Sequence, residues 1–103
     1  MAFVRAAKVG AVPLGAIAEF EVGGKTVAVA NVDGKLFAIN GICLHEGGPL
    51  GEGALNGKLV ICPWHAWEYD VTTGKIAGSA PDLEGVACYP VEVRGEDIFV
   101  DAG

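Results

Sequence analysis

Cys43-Leu44-His45 and, after the sixteen residues 46 to 61, Cys62-Pro63-Trp64-His65 hold every thiol and imidazole of this 103-residue chain except Cys88. Each segment supplies one of each kind. A mononuclear structural zinc site usually takes its ligands as like pairs, a Cys pair followed by a His pair. Mixed pairs therefore point to a metal centre with two chemically different ends. Singly, each residue has a plainer reading: cysteine as a small buried hydrophobe, histidine as a surface or satisfied core residue. A Cys2His2 zinc site and a Cys43–Cys62 disulfide also stay open, although the disulfide leaves both histidines without a role.

If a [2Fe–2S] rhomb lies between two loops, each loop reaches both irons, so that one iron takes two thiolates and the other two imidazoles. The stretch Gly41–Asp70 reads C-x-H, sixteen residues, then C-P-x-H-x-x-x-Y-D. It resembles the pattern of Rieske iron–sulfur proteins, and the chain looks like a soluble Rieske-type ferredoxin of bacterial aromatic-ring dioxygenase systems. The resemblance implies one [2Fe–2S] cluster held by Cys43, His45, Cys62 and His65. It also implies an all-β, two-part antiparallel domain. Its base would comprise 1–40 and 86–103, and a small cluster-binding subdomain of about 41–85 would be inserted. In the resembled family a proline-bearing loop lies over the cluster. Pro81 is the matching residue here, its plainer reading being a turn proline.

Composition narrows the class. An apolar fraction of 51% over 103 residues suits one compact unit with a modest core. With 16 glycines, 5 prolines and no long 3.6-residue apolar period, short strands and tight turns are expected. Val9–Ala18 is apolar behind Arg5 and Lys8, but Gly10, Pro13 and Gly15 interrupt it. It reads as strand and turn rather than as a secretory signal. Nothing approaches the roughly 20 apolar residues of a membrane-spanning helix. An odd number of cysteines gives no disulfide framework, so a soluble cytoplasmic protein is expected. The net charge of −6 argues against a nucleic-acid partner, which needs a basic footprint, and permits transient docking on a basic patch.

Along the chain, Ala2–Ala7 reads as a strand, followed by a meander of Ala18–Val22, Lys25–Val32 and Lys35–Asn40. Gly23-Gly24 and Asp33-Gly34 are its two-residue hairpin turns. Val27 and Val29 against Ala28 and Ala30 suggest a strand with one better-filled face. Leu59–Ile61 runs as a short strand into Cys62, and Trp67–Val71 leads out towards a turn at Thr73-Gly74. Gly47, Gly48 and Gly51 permit the path of the first ligand loop. Gly78–Gly85 is a third loop. Val86–Val93 and Asp97–Asp101 form a final hairpin, with Cys88 as a buried apolar residue rather than a ligand.

Electron transfer follows from charge. Two ferric ions, two sulfides and two thiolates sum to a neutral oxidised centre, whereas four thiolates would leave it dianionic. Imidazoles at His45 and His65 therefore make an electron easier to accept and place it on the histidine-bound iron. The imidazole edges are the expected exit route. Ferric iron also acidifies them, coupling proton loss to redox state at high pH. In respiratory members of the resembled family a serine lies at the place matched by Trp67. Each ligand loop there carries an extra, bridging cysteine, at places matched by Gly47 and Trp64. Tyr69 matches a tyrosine whose hydroxyl reaches a cysteine sulfur. One donor thus remains where the respiratory pattern has more, which implies a potential in the lower part of the family range of about −150 to +300 mV. Trp64 and Trp67 flank His65 and either pack beneath the loop or meet a partner.

The expected role is a one-electron carrier between a flavin-dependent reductase and a terminal oxygenase, monomeric and not itself an enzyme. With both histidines used, no further His/Asp set remains for the mononuclear iron of an oxygenase. Two other classes fit less of the chain. The small subunit of a nitrite reductase resembles this fold but often lacks the cluster ligands, and a zinc-stabilised binding module would be colourless.

Overall fold

The computed structural model describes residues 3–42, 48–64, 67–77 and 85–102. Their strands are β1 (Val4–Lys8), β2 (Ile17–Val22), β3 (Lys25–Val32), β4 (Lys35–Asn40), β5 (Ala54–Asn56) and β6 (Leu59–Ile61). There follow β7 (Glu68–Asp70), β8 (Ile76–Ala77), β9 (Cys88–Tyr89), β10 (Val91–Arg94) and β11 (Asp97–Val100). Single 3-10 turns stand at Val9–Ala11 and Leu50–Glu52. No helix among the described residues is long and apolar enough to cross a membrane. The strands form three antiparallel sheets, β1-β11-β10, β2-β3-β4-β9 and β5-β6-β7-β8. This is the all-β architecture expected.

Turn chemistry explains the meander. Gly23 and Gly24 have φ of 57° and 82°, and Asp33 and Gly34 have 53° and 91°. Two successive positive φ values give the turn whose twist matches an antiparallel pair. Registers Val22↔Lys25 and Val32↔Lys35 follow directly. The sequence reading missed β5. Its signal was Gly57, with φ of 62°, at the first position of a two-residue turn joining Asn56 to Leu59.

Strand β3 is buried on both faces, the valine face being the better filled, as its alternation suggested. Val27 and Val29 share a core with Val12, Val22, Ile98 and Val100 of the β1-β11-β10 side. Ala28 and Ala30 share another with Leu50, Val60, Cys62, Tyr69 and Val71. All four β3 side chains are fully buried. Alternation assigns residues to faces but does not say whether a second layer covers the alanine face. Full burial of each valine contributes about 1.5–3 kcal/mol.

Val86–Val93 is not one strand. Pro90, which has no N–H to donate, divides it into β9 on β4 and β10 on β11, two different sheets. The chain thus crosses from one sheet to another at that proline, while Tyr89 and Val91 on either side pack against the same core.

Asp70, at the end of β7, organises the turn into β8. Its Oδ1 accepts the Thr72 N–H at 2.8 Å and the Thr72 hydroxyl at 2.6 Å, while Lys58 Nζ lies 3.3 Å from Oδ2. Burial is the largest single influence and raises the carboxyl pKa, but the Thr72 and Lys58 interactions together outweigh it and hold it below its ordinary value. A carboxylate depressed on folding contributes stability above its unfolded pKa, about 3.9, and loses it as pH falls through the folded value. Asp70→Ala is expected to cost about 1–2 kcal/mol at neutral pH, and the cost should shrink below about pH 4. Urea unfolding at both pH values checks this; an equal cost at each would rule out the charged form as the source.

Candidate metal centre

Both ligand-bearing segments are closed at their bases by antiparallel pairing. In the first, Leu50 donates its N–H to Gly41 O at 2.8 Å, and Ile42 is bridged to Pro49, so that residues 43–48 lie between the closing pairs. In the second, β6 and β7 pair through Ile61↔Glu68, and the Cys62 N–H donates to Trp67 O at 2.7 Å. Cys62 and Trp67 are therefore the next rung of the same ladder, enclosing only 63–66. The described ends of both segments are thus fixed by the sheet behind them, which supplies rigidity.

The two segments meet at Gly48 and Cys62. A Cβ placed on Gly48 would stand 2.7 Å from Cys62 Sγ and 3.3 Å from Trp64 Cβ. Only bare backbone fits so close to the sulfur. The return of the first segment rests equally tightly on β2: a Cβ on Gly51 would lie 2.8 Å from both the Glu19 N and Cα. Cys62 itself is 1% exposed and belongs to the core beneath Ala28 and Ala30, here the lower core, with Tyr69 fully buried in the same cluster.

Cys43, His45, His65 and Pro81 lie outside the described residues, as does Gly47. Among the described residues no three His, Cys, Asp or Glu side chains converge as a metal site. Trp67 packs against the lower core, whereas Trp64 is 51% exposed, so the two tryptophans separate into one packed and one accessible ring. The expectation put Gly47 opposite Trp64 at the places of the extra bridging cysteines. Among the described residues Gly48 faces Trp64, a Cβ placed on it standing 3.3 Å from the Trp64 Cβ. Glycine stands at either position, so no bridge forms there.

Cys88 corrects a second expectation: it is exposed, not buried. Cys88 pairs with Ile39 and shares its face, but β9 is a two-residue edge strand, so its side chain is left uncovered where Ile39 is buried. Its Sγ reaches Thr72 O at 3.7 Å. Partial desolvation, and then the Asp70 charge, raise its pKa and keep the thiol protonated.

Fold and site together define an antiparallel β protein in which two hairpin ends meet beside a buried thiol. The chain belongs to the Rieske [2Fe-2S] domain family, whose model matches residues 2–90. It is 37% identical over 102 residues to the biphenyl dioxygenase ferredoxin subunit of Pseudomonas sp. (strain KKS102), covering 98% of this chain and 93% of that one. Among solved structures it resembles the ferredoxin of carbazole 1,9a-dioxygenase from Nocardioides aromaticivorans IC177, with a TM-score of 0.87, 29% identity and 97% of each chain covered. It also resembles a chain in a complex of reduced oxygenase and oxidized ferredoxin in carbazole 1,9a-dioxygenase, with a TM-score of 0.84 and 27% identity. That match covers 95% of this chain and 91% of the other.

The cofactor of this family is a Rieske-type [2Fe–2S] cluster. The described part of the site fits it: a buried thiol at the end of a strand, beside a glycine whose missing side chain leaves the sulfur room. Burial in a largely apolar cluster suits a neutral oxidised centre, which pays little for leaving water.

Proposed function

We propose that this protein is a one-electron carrier of a multicomponent dioxygenase, with Cys43 and Cys62 on one iron and His45 and His65 on the other. The observation that carries the reading is the junction of the two Cys/His segments at Gly48 and Cys62 in a chain of this family. When bound, such a cluster accepts and returns one electron without bond breaking in the protein. Cys62 would hold its iron from inside the core, and residues 41–85 would act as the cluster-binding unit on a base of 1–40 and 86–103. His45 and His65 would present the exit route. Ile42 and Trp64, 49% and 51% exposed beside those segments, offer an apolar rim for a docking partner.

The partners in this reading are a flavin-dependent reductase that supplies the electron and a terminal oxygenase that consumes it. Support comes from the likeness to a chain of an oxygenase–ferredoxin complex. The protein would work in the cytoplasm as a monomer, and its net charge of −6 favours fast, salt-sensitive docking on basic patches.

Anaerobic purification with iron, sulfide and zinc assays, and absorption and electron paramagnetic resonance before and after dithionite, tests the centre. Two irons, two sulfides and a rhombic signal only on reduction are expected; stoichiometric zinc without iron would end the proposal. Voltammetry should find a midpoint in the lower part of the range of about −150 to +300 mV. A value well above zero would contradict the shortage of donors inferred from Trp67 and the glycine opposite Trp64.

A further inference from the structure

We propose that Asn40 is a positioning residue of the metal centre, clamping the first ligand segment through its side-chain amide; this rests on the reading above. Asn40 ends β4, and its backbone is held on both sides. It pairs with Val27 of β3, and its N–H donates to Ala87 O at 2.9 Å. A short side chain on so fixed a backbone is a stiff lever. Its Oδ1 accepts the Ile42 N–H at 3.0 Å, one residue before Cys43. Because a backbone N–H can only donate, the oxygen must face Ile42 and the amide nitrogen must face the other way. There Nδ2 donates to Tyr89 Oη at 3.4 Å.

Tyr89 is itself anchored. It lies on β9, opposite Ala38 of β4, and Lys25 Nζ sits 6.0 Å from its ring centroid. The same ammonium donates to Ala102 O at 2.7 Å. A side chain that merely turned its own backbone would need only the Ile42 bond. The second arm ties the Ile42 stem to another strand and, through Lys25, to the last described residue. Gly41 adds backbone bonds on the same stem, to Thr26 O at 2.9 Å and from Leu50. The stem next to Cys43 is thus held against β3, β9 and the returning segment at once. Asn40 supplies the side-chain link among these, and its loss would let the ligand-bearing segment shift relative to Cys62.

The test compares the holoprotein with Asn40→Leu, Asn40→Asp, Tyr89→Phe and Val100→Ala. Three quantities are read: the rate of bleaching by a ferrous chelator, the g-values of the reduced signal, and the unfolding temperature. Asn40→Leu should bleach about fivefold faster, the equivalent of one hydrogen bond, and show altered g-values. Asn40→Asp keeps an oxygen for Ile42 and can accept from the Tyr89 hydroxyl, so it should restore both. Tyr89→Phe, which removes one arm, should fall between. Val100→Ala, in the opposite core, should lower the unfolding temperature without changing g-values. Wild-type bleaching and g-values in Asn40→Leu overturn the proposal; should that variant not fold, wild-type behaviour of Tyr89→Phe overturns it instead. Wild-type protein without iron and sulfide would overturn the reading of the centre itself, a separate result.

Discussion

Cys62→Ala is expected to give a folded protein without its iron. Its thiol is buried to 1% exposure, and the backbone bond from Cys62 to Trp67 survives the change. Exchanging a thiol for a hydrogen in the core should cost no more than about 1–2 kcal/mol in packing. Removing one of four proposed ligands should instead abolish stable cluster binding, because the iron loses a thiolate that no neighbour replaces. Iron and sulfide assays with circular dichroism separate the two effects. Cys88→Ala is the contrast, since that exposed thiol sits by Thr72 and should leave the iron content untouched. Full iron in Cys62→Ala with native dichroism would remove Cys62 from the ligand set.

Tyr69 should show the largest stability effect in the chain. It is fully buried between Val60, opposite it on β6, and Ile76 on β8, within the core that contains Cys62. Tyr69→Ala should cost about 3–5 kcal/mol, a large share of the roughly 5–15 kcal/mol that a domain possesses. Tyr69→Phe keeps the ring and tests the hydroxyl alone. If that hydroxyl donates to a cysteine sulfur, as in the resembled family, it stabilises the extra charge of the reduced state. Its removal should lower the midpoint by about 40 mV, the equivalent of about 1 kcal/mol for one electron. Protein-film voltammetry reads this directly. An unchanged midpoint would confine Tyr69 to packing.

The local signals transferred well. Gly23-Gly24 and Asp33-Gly34 placed the meander with its strand ends at Lys25–Val32 and Lys35–Asn40, because positive φ at two consecutive residues permits few other geometries. Leu59–Ile61 ran into Cys62 as a strand, since three β-prone residues lie between a turn and a proline. The Cys/His pairs and the Y-D dipeptide identified the family from residues alone. Errors arose where partners were distant in the chain. Cys88 looked buried because cysteine usually is, yet a two-residue edge strand left it exposed. Pro90 was visible, but which sheet would take each side of it was not.

Sequence alone determined the paired Cys/His motif, the hairpins and the all-β class, since these depend on side-chain type, turn dihedrals and alternation over a few residues. Only the tertiary structure decided that the alanine face of β3 is covered, that Gly48 faces Trp64 and touches Cys62, and that Asn40 spans Ile42 and Tyr89. Those contacts join segments far apart in the chain, and their existence depends on how three sheets stack, which no local pattern encodes.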